Sequence, residues 1–132
     1  MSDLLKTDQL SGLIAIRESP NDWFERCTRK LQAIGSLEAD WDSYGSARPD
    51  SVSLHYAYAF LHLLRDKVNV SEPAITPNPT GNVCFEWDDG TFTLLVEIDA
   101  AGRCHYYYEK GSDEREGTER DFAPILQMVT SL

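Results

Sequence analysis

Glu86, Glu97, Glu109, His105 and Tyr107 are the residues whose types and spacing come nearest to chemistry in this chain. Carboxylates beside an imidazole suit acid–base work or a bound cation, and an alternating strand sends every second side chain to the same side. Cys84 shares that side by parity, so Cys84 and His105 form a candidate nucleophile–base pair. The strand order, however, sets them two strands apart, beyond hydrogen-bond reach. His55 and His62 lie seven positions apart, which is too long for the i, i+4 histidine pair of a metalloprotease helix. The cysteines, Cys27, Cys84 and Cys104, are odd in number and widely spaced, with no C-x-x-C pair. They read as reduced thiols of a cytoplasmic protein rather than a disulfide framework or zinc ribbon. "GSDEREG" puts acids where a phosphate loop needs bare N–H groups and a positive field. No catalytic residue, metal set or cofactor is therefore assigned.

A second dense stretch is "LEADWDSYGSARP". Asp42 and Tyr44 could act as an acid–base pair or ligand clamp. With Trp41, Trp87 and Tyr106 they could line a small-ligand pocket between a sheet and the first helices. A structural role explains the stretch with fewer assumptions. Asp42 can accept backbone N–H groups in an Asx turn, and Gly45 can take positive φ. Trp41 and Tyr44 can bury their rings between helices and sheet, and Pro49 sets the approach to the next helix.

The elements that position these residues follow from periodicity. Leu10, Leu13, Ile14 and Ile16 suggest a short helix or a loosely docked arm over residues 1–19. "SPNDWFERCTRKLQAIGSL" reads as a helix with Ser19 as N-cap and Pro20 at its first position; Trp23, Cys27, Lys30 or Leu31, and Ile34 form its apolar stripe and Gly35 its stop. A second helix follows, capped by Asp50 or Ser51, with Val52, Tyr56, Ala59, Phe60, Leu63 and Leu64 as its buried stripe. Ala74 to Thr76 suits a short edge strand, because nearby prolines confine strands to edges.

"NVCFEWDDGTFTLLVEIDAAGRCHYYYEKG" contains three alternating runs. Asp89-Gly90 reads as a two-residue hairpin turn, so Trp87 faces Phe92, Phe85 faces Leu94 and Val83 faces Val96. A three-residue loop with a left-handed Gly102 pairs Ile98 with Cys104, Val96 with Tyr106 and Leu94 with Tyr108. Both turns put Val83, Phe85, Trp87, Phe92, Leu94, Val96, Ile98, Cys104, Tyr106 and Tyr108 on one face. Cys84, Glu86, Thr93, Leu95, Glu97, Arg103, His105, Tyr107 and Glu109 take the other. "KGSDEREGTERD" reads as a charged loop, and "DFAPILQMVTSL" as a closing helix capped by Asp121. The expected architecture is one α+β domain over residues 1–132, with N-terminal helices on one face of a three- to four-stranded antiparallel sheet and a short C-terminal helix.

The chain has 132 residues, 42% hydrophobic and 26% charged, which is enough for one core without staples. Its net charge of −10, from 22 acids and 12 bases, disfavours direct binding to nucleic acid or anionic lipid and suits a basic protein partner. The start lacks a basic leader ahead of a long apolar run, and no window reads as a membrane span. The best surface is therefore the wet sheet face, where Glu86, Glu97, His105 and Glu109 rim Leu95 and Tyr107. The leading expectation is a non-enzymatic, acidic interaction or regulatory protein, as a monomer or a homodimer. A small-ligand binder or minor enzyme, and an acidic mimic of nucleic acid, are the alternatives.

"WDSYGSARP", the "AYAFL" helix, the Pro-rich crossing, "GNVCFEW" and "LLVEIDAAGRCHYYY" together resemble a recurrent group of small uncharacterised bacterial proteins. These share a Trp-Asp-x-Tyr-Gly-Ala loop, a Pro, a helix, a Glu-Trp strand and an Asp-Gly hairpin. The similarity covers roughly residues 37–125, and Ser46 stands where the group often has Ala. It implies a compact cytoplasmic bacterial protein from mobile or accessory DNA, and supplies no catalytic residue.

Overall fold

The computed structural model describes residues 22–132. The expected arm over 1–19, and the Ser19 cap with Pro20, lie outside the described residues. Helix α1 spans Asp22–Gly35 and buries Trp23, Cys27, Leu31 and Ile34, the i, i+4, i+8, i+11 stripe read from the sequence. Helix α2 spans Ser51–Arg65. The Asp50 carboxylate accepts from the N–H groups of Val52 (2.8 Å) and Ser53 (3.2 Å), which would otherwise lack partners at the helix start.

The buried stripe of α2 differs from the expected one. Ser53, Ala57, Phe60, Leu61 and Leu64 point inward, while Val52, Tyr56 and Leu63 are each more than a third exposed. Apolar residues nearly encircle this helix, so composition permits several rotations. The observed one puts the small residues Ser53 and Ala57 innermost and still buries Phe60 completely. Tyr56 instead lies over Gly102, where a Cβ would stand 2.6 Å from its ring.

Five antiparallel strands follow in simple meander order. They are β1 (Ala74–Pro77), β2 (Val83–Asp88), β3 (Phe92–Ile98), β4 (Cys104–Lys110) and β5 (Asp113–Glu119). Strand β1 is the expected proline-bounded edge. Strand β5 corrects the expectation of three to four strands, because the segment read as a charged loop pairs with β4 along its full length, from Lys110–Asp113 to Cys104–Glu119. Its sequence "DEREGTE" lacks the apolar alternation that marks a strand. Its stabilisation comes from backbone pairing and from Gly117, whose bare Cα leaves room for Tyr106, the ring directly across from it. A dense run of charge is also how sheets protect a free edge.

The first hairpin is corrected as well. Asp88 pairs with Thr93, Trp87 with Leu94, Phe85 with Val96 and Val83 with Ile98, a shift of two residues from the expected register. A two-residue type I′ turn needs positive φ at both central positions; only Gly90 has it, at 90°. The Asp88 carboxylate accepts from the Gly90 N–H, and the Asp89 carboxylate accepts from the Thr91 and Phe92 N–H groups, so side chains close a longer loop. A two-residue shift preserves side-chain parity, so the face assignment survives. The second hairpin follows the expected register, with Gly102 at φ 80°.

Val83, Phe85, Trp87, Leu94, Val96, Ile98 and Cys104 are almost fully buried beneath the helices, with Phe92, Tyr106 and Tyr108 packed at the margins. Phe60 is the hub, edge-on to Phe85 at 5.0 Å and Trp87 at 6.4 Å, and 5.1 Å from Phe122. Helix α3 (Phe122–Thr130) buries Ile125, Leu126 and Val129 against the same face. Asp121 occupies its N-cap position, but its carboxylate makes no capping bond. The architecture is α+β: all three described helices lie on one side of the sheet.

Candidate functional site

The residues of "ADWDSYGS" build a joint. Asp42 accepts from the Tyr44 N–H at 3.0 Å and from the Ser46 hydroxyl. The Ser46 hydroxyl first, and then the Tyr44 N–H, hold the Asp42 carboxyl below its ordinary range. The Asp40 carboxylate accepts from the Gly45 N–H at 2.7 Å, with Gly45 at φ 78°. The Trp41 indole donates to the Ala47 carbonyl at 3.0 Å. Ala47 and Asp50 N–H groups then donate to the Pro79 and Gly81 carbonyls, tying the α1–α2 connection to the β1–β2 turn. Ser46 is 5% exposed, and its hydroxyl is used in this joint.

The five residues of the expected ligand pocket are not gathered. Trp87 is 2% exposed in the core and donates to the Ser71 carbonyl at 2.9 Å. Tyr106 sits at the core margin over Gly117. Tyr44, expected to bury its ring, is 90% exposed at the loop tip, and Trp41 is half-buried beside it.

The residues of the expected interaction surface lie together on one face. Parity and register place Glu86, Asp88, Thr93, Leu95, Glu97, His105, Tyr107 and Glu109 on the sheet face opposite the helices. Strand β5 extends that face with Glu114, Glu116 and Thr118, residues missed because β5 carries no strand-like pattern. Leu95 pairs with Glu86 on one side and Tyr107 on the other, and Tyr107 pairs with Glu116. No strand position on this face is Lys or Arg among the described residues. Tyr107 donates to Glu114 at 3.1 Å. Desolvation, then that bond and the nearby Glu109 charge, push its hydroxyl up to about 12, so it stays a donor.

His105 occupies the end of this face between two partners. Its Nε2 lies 2.8 Å from Asp99 Oδ2, and its Nδ1 lies 3.0 Å from Thr118 Oγ1. With Asp99 ionised, Nε2 donates to it, and Nδ1 shares a hydrogen bond with the Thr118 hydroxyl. Asp99 also accepts from the N–H groups of Ala101 and Arg103 and from Arg103 Nε. Burial alone would raise the Asp99 carboxyl; the His105 ring, those N–H groups and the Arg103 charge outweigh it and hold it at about 2. The hydroxyl–imidazole–carboxylate order is that of an acid–base relay, and the same contacts have a structural role. The geometry clamps the β3–β4 hairpin to the edge strand.

The thiols are poor nucleophiles. Desolvation pushes Cys27 and Cys84 up to about 11 and Cys104 up to about 12. Cys84 is 9% exposed although it lies on the acidic face, and its sulfur faces the Asn78 amide at 3.9 Å. Among the described residues, no cluster of three or more His, Cys, Asp or Glu is arranged to hold a metal, and no helix is long and apolar enough to cross a membrane. No protein-family model, curated protein or solved structure matches the chain.

Proposed function

We propose that this protein is a non-catalytic, acidic interaction module that binds and regulates a basic partner protein through the helix-free face of its sheet. An inhibitor, antitoxin-like or adaptor role, in the cytoplasm of a bacterium and encoded on mobile or accessory DNA, fits this reading. The observation that carries it is a continuous face of Glu86, Asp88, Glu97, Glu109, Glu114 and Glu116 around Leu95 and Tyr107, with no Lys or Arg at any of its strand positions. An apolar centre inside a rim of one charge matches the anatomy of protein interfaces, and the rim's charge selects the partner and speeds its approach. Because the acids form a continuous surface, a partner that ordinarily grips nucleic acid is the narrower form of the same reading. Competition with duplex DNA for the captured partner tests that form.

The immobilised full chain should retain a basic protein from a bacterial lysate, released by raising salt. The exposed-site double variant Glu109→Lys/Glu116→Lys should lose it. Retention of the same protein by this variant would overturn the reading. Charge repulsion between copies of this face also predicts a solution mass near 14.9 kDa by light scattering rather than a dimer paired through the sheet.

A further inference from the structure

We propose that the cleft between α3 and the β4–β5 pair binds a small carboxylate with an aromatic or aliphatic body. The cleft holds about 340 Å³ and is lined by Tyr108, Arg115, Pro124, Gln127, Met128 and Ser131. That volume is near the lower end of what small-molecule sites occupy.

Arg115 faces Tyr108 directly across the strands, with its guanidinium carbon 4.5 Å from the ring centroid. Stacking on the ring holds the plane of the fork. The only protein hydrogen bond of this guanidinium, among the described residues, is a long one to Asp113 at 3.4 Å. Arg26, by contrast, reaches Glu72 through two nitrogens, at 2.8 to 3.3 Å. Arg115 therefore keeps most of its five N–H donors for an acceptor from outside, and its side chain is 53% exposed. A carboxylate matches two of those donors at once. Pro124 and Met128 supply the apolar lining beside the Arg115–Tyr108 stack, and the unbranched thioether adapts to the body that lies on it. Asp113 competes for the same guanidinium, so the two residues should respond with opposite sign.

Tyr108 and Arg115 have the parity of the helix side, so this site is separate from the acidic face and stands or falls without it. The test is a two-dimensional amide NMR titration of the full chain with 4-phenylbutanoate, and with 4-phenylbutanamide as its uncharged twin, at about 150 mM salt. Saturable shifts around Tyr108, Arg115 and Met128 are expected, with a dissociation constant below about 1 mM and the amide at least about tenfold weaker. Arg115→Gln should weaken the acid by about tenfold or more, and Asp113→Asn should tighten it about threefold. Equal binding of acid and amide, binding undiminished in Arg115→Gln, or no saturable shift up to about 10 mM would each overturn the proposal.

Discussion

Asp99 shows how one carboxylate can hold a hairpin. It accepts from two backbone N–H groups, a guanidinium and an imidazole while only 8% exposed. Its carboxyl falls from 3.8 to about 2, so its contribution to stability is complete above pH 3.8 and fades as pH drops through about 2. Asp99→Asn should therefore cost about 1–3 kcal/mol at neutral pH, by chemical denaturation, and the gap to wild type should close near pH 2. Ser53 makes the opposite case. Its hydroxyl is buried with no partner among the described residues, so Ser53→Ala should leave stability unchanged or raise it by up to about 1 kcal/mol. Gly102 needs both its positive φ and its missing Cβ, because the Tyr56 ring occupies the space. Gly102→Ala should lower the melting temperature, with a cost above about 1 kcal/mol.

Among the elements, the second helix and the last strand carry the lessons. The α2 stripe was legible as a helix but not in its rotation, because tyrosines, leucines and valine occupy most of its circumference. Phe60 and Leu64 were the firm members, since both readings bury them. Phe60→Ala should cost about 3–5 kcal/mol, read by urea unfolding, as it removes the ring that meets Phe85, Trp87 and Phe122. The three central strands were legible by alternation. Strand β5 was not, because no apolar residue lies along Asp113–Glu119 to reveal the period. Glu114 and Glu116, two of the six acids on the open face, were therefore invisible, whereas Glu86, Leu95, Glu97, His105, Tyr107 and Glu109 fall on one face by parity alone.

Charge is divided unequally over the described residues of the molecule. Arg26, Arg29 and Lys30 on α1, with Arg65 and Lys67 at the end of α2, sit with the helices, while among the described residues the strand positions of the open sheet face carry acids and no Lys or Arg. Under the proposed function such a division orients an approaching basic partner, and the attraction extends only over a Debye length of about 8 Å at physiological salt. The on-rate for a captured partner should therefore fall at least about tenfold between low and high salt, while Glu109→Lys/Glu116→Lys should flatten that dependence. A salt-independent on-rate would place binding elsewhere on the surface.

The α+β class, the capped start of α2, the edge position of β1 and the two faces of the central strands were determined by the sequence itself. Each rests on a local rule: helical period, strand alternation, caps, and the conformations open to glycine and proline. Those rules act over a few residues and are written in residue type. Tertiary structure alone decided the rotation of α2, the two-residue shift of the first hairpin, the exposure of Tyr44 and the existence of β5. The rotation of α2 and the existence of β5 depend on distant groups, Gly102 under Tyr56 and Gly117 opening space for Tyr106, while the hairpin shift is set by which N–H groups the Asp88 and Asp89 carboxylates close upon in the folded loop. The same dependence separates the sites. A face follows from parity, but a cleft between a helix and two strands exists only once Arg115 and Met128, distant in the chain, line the same space.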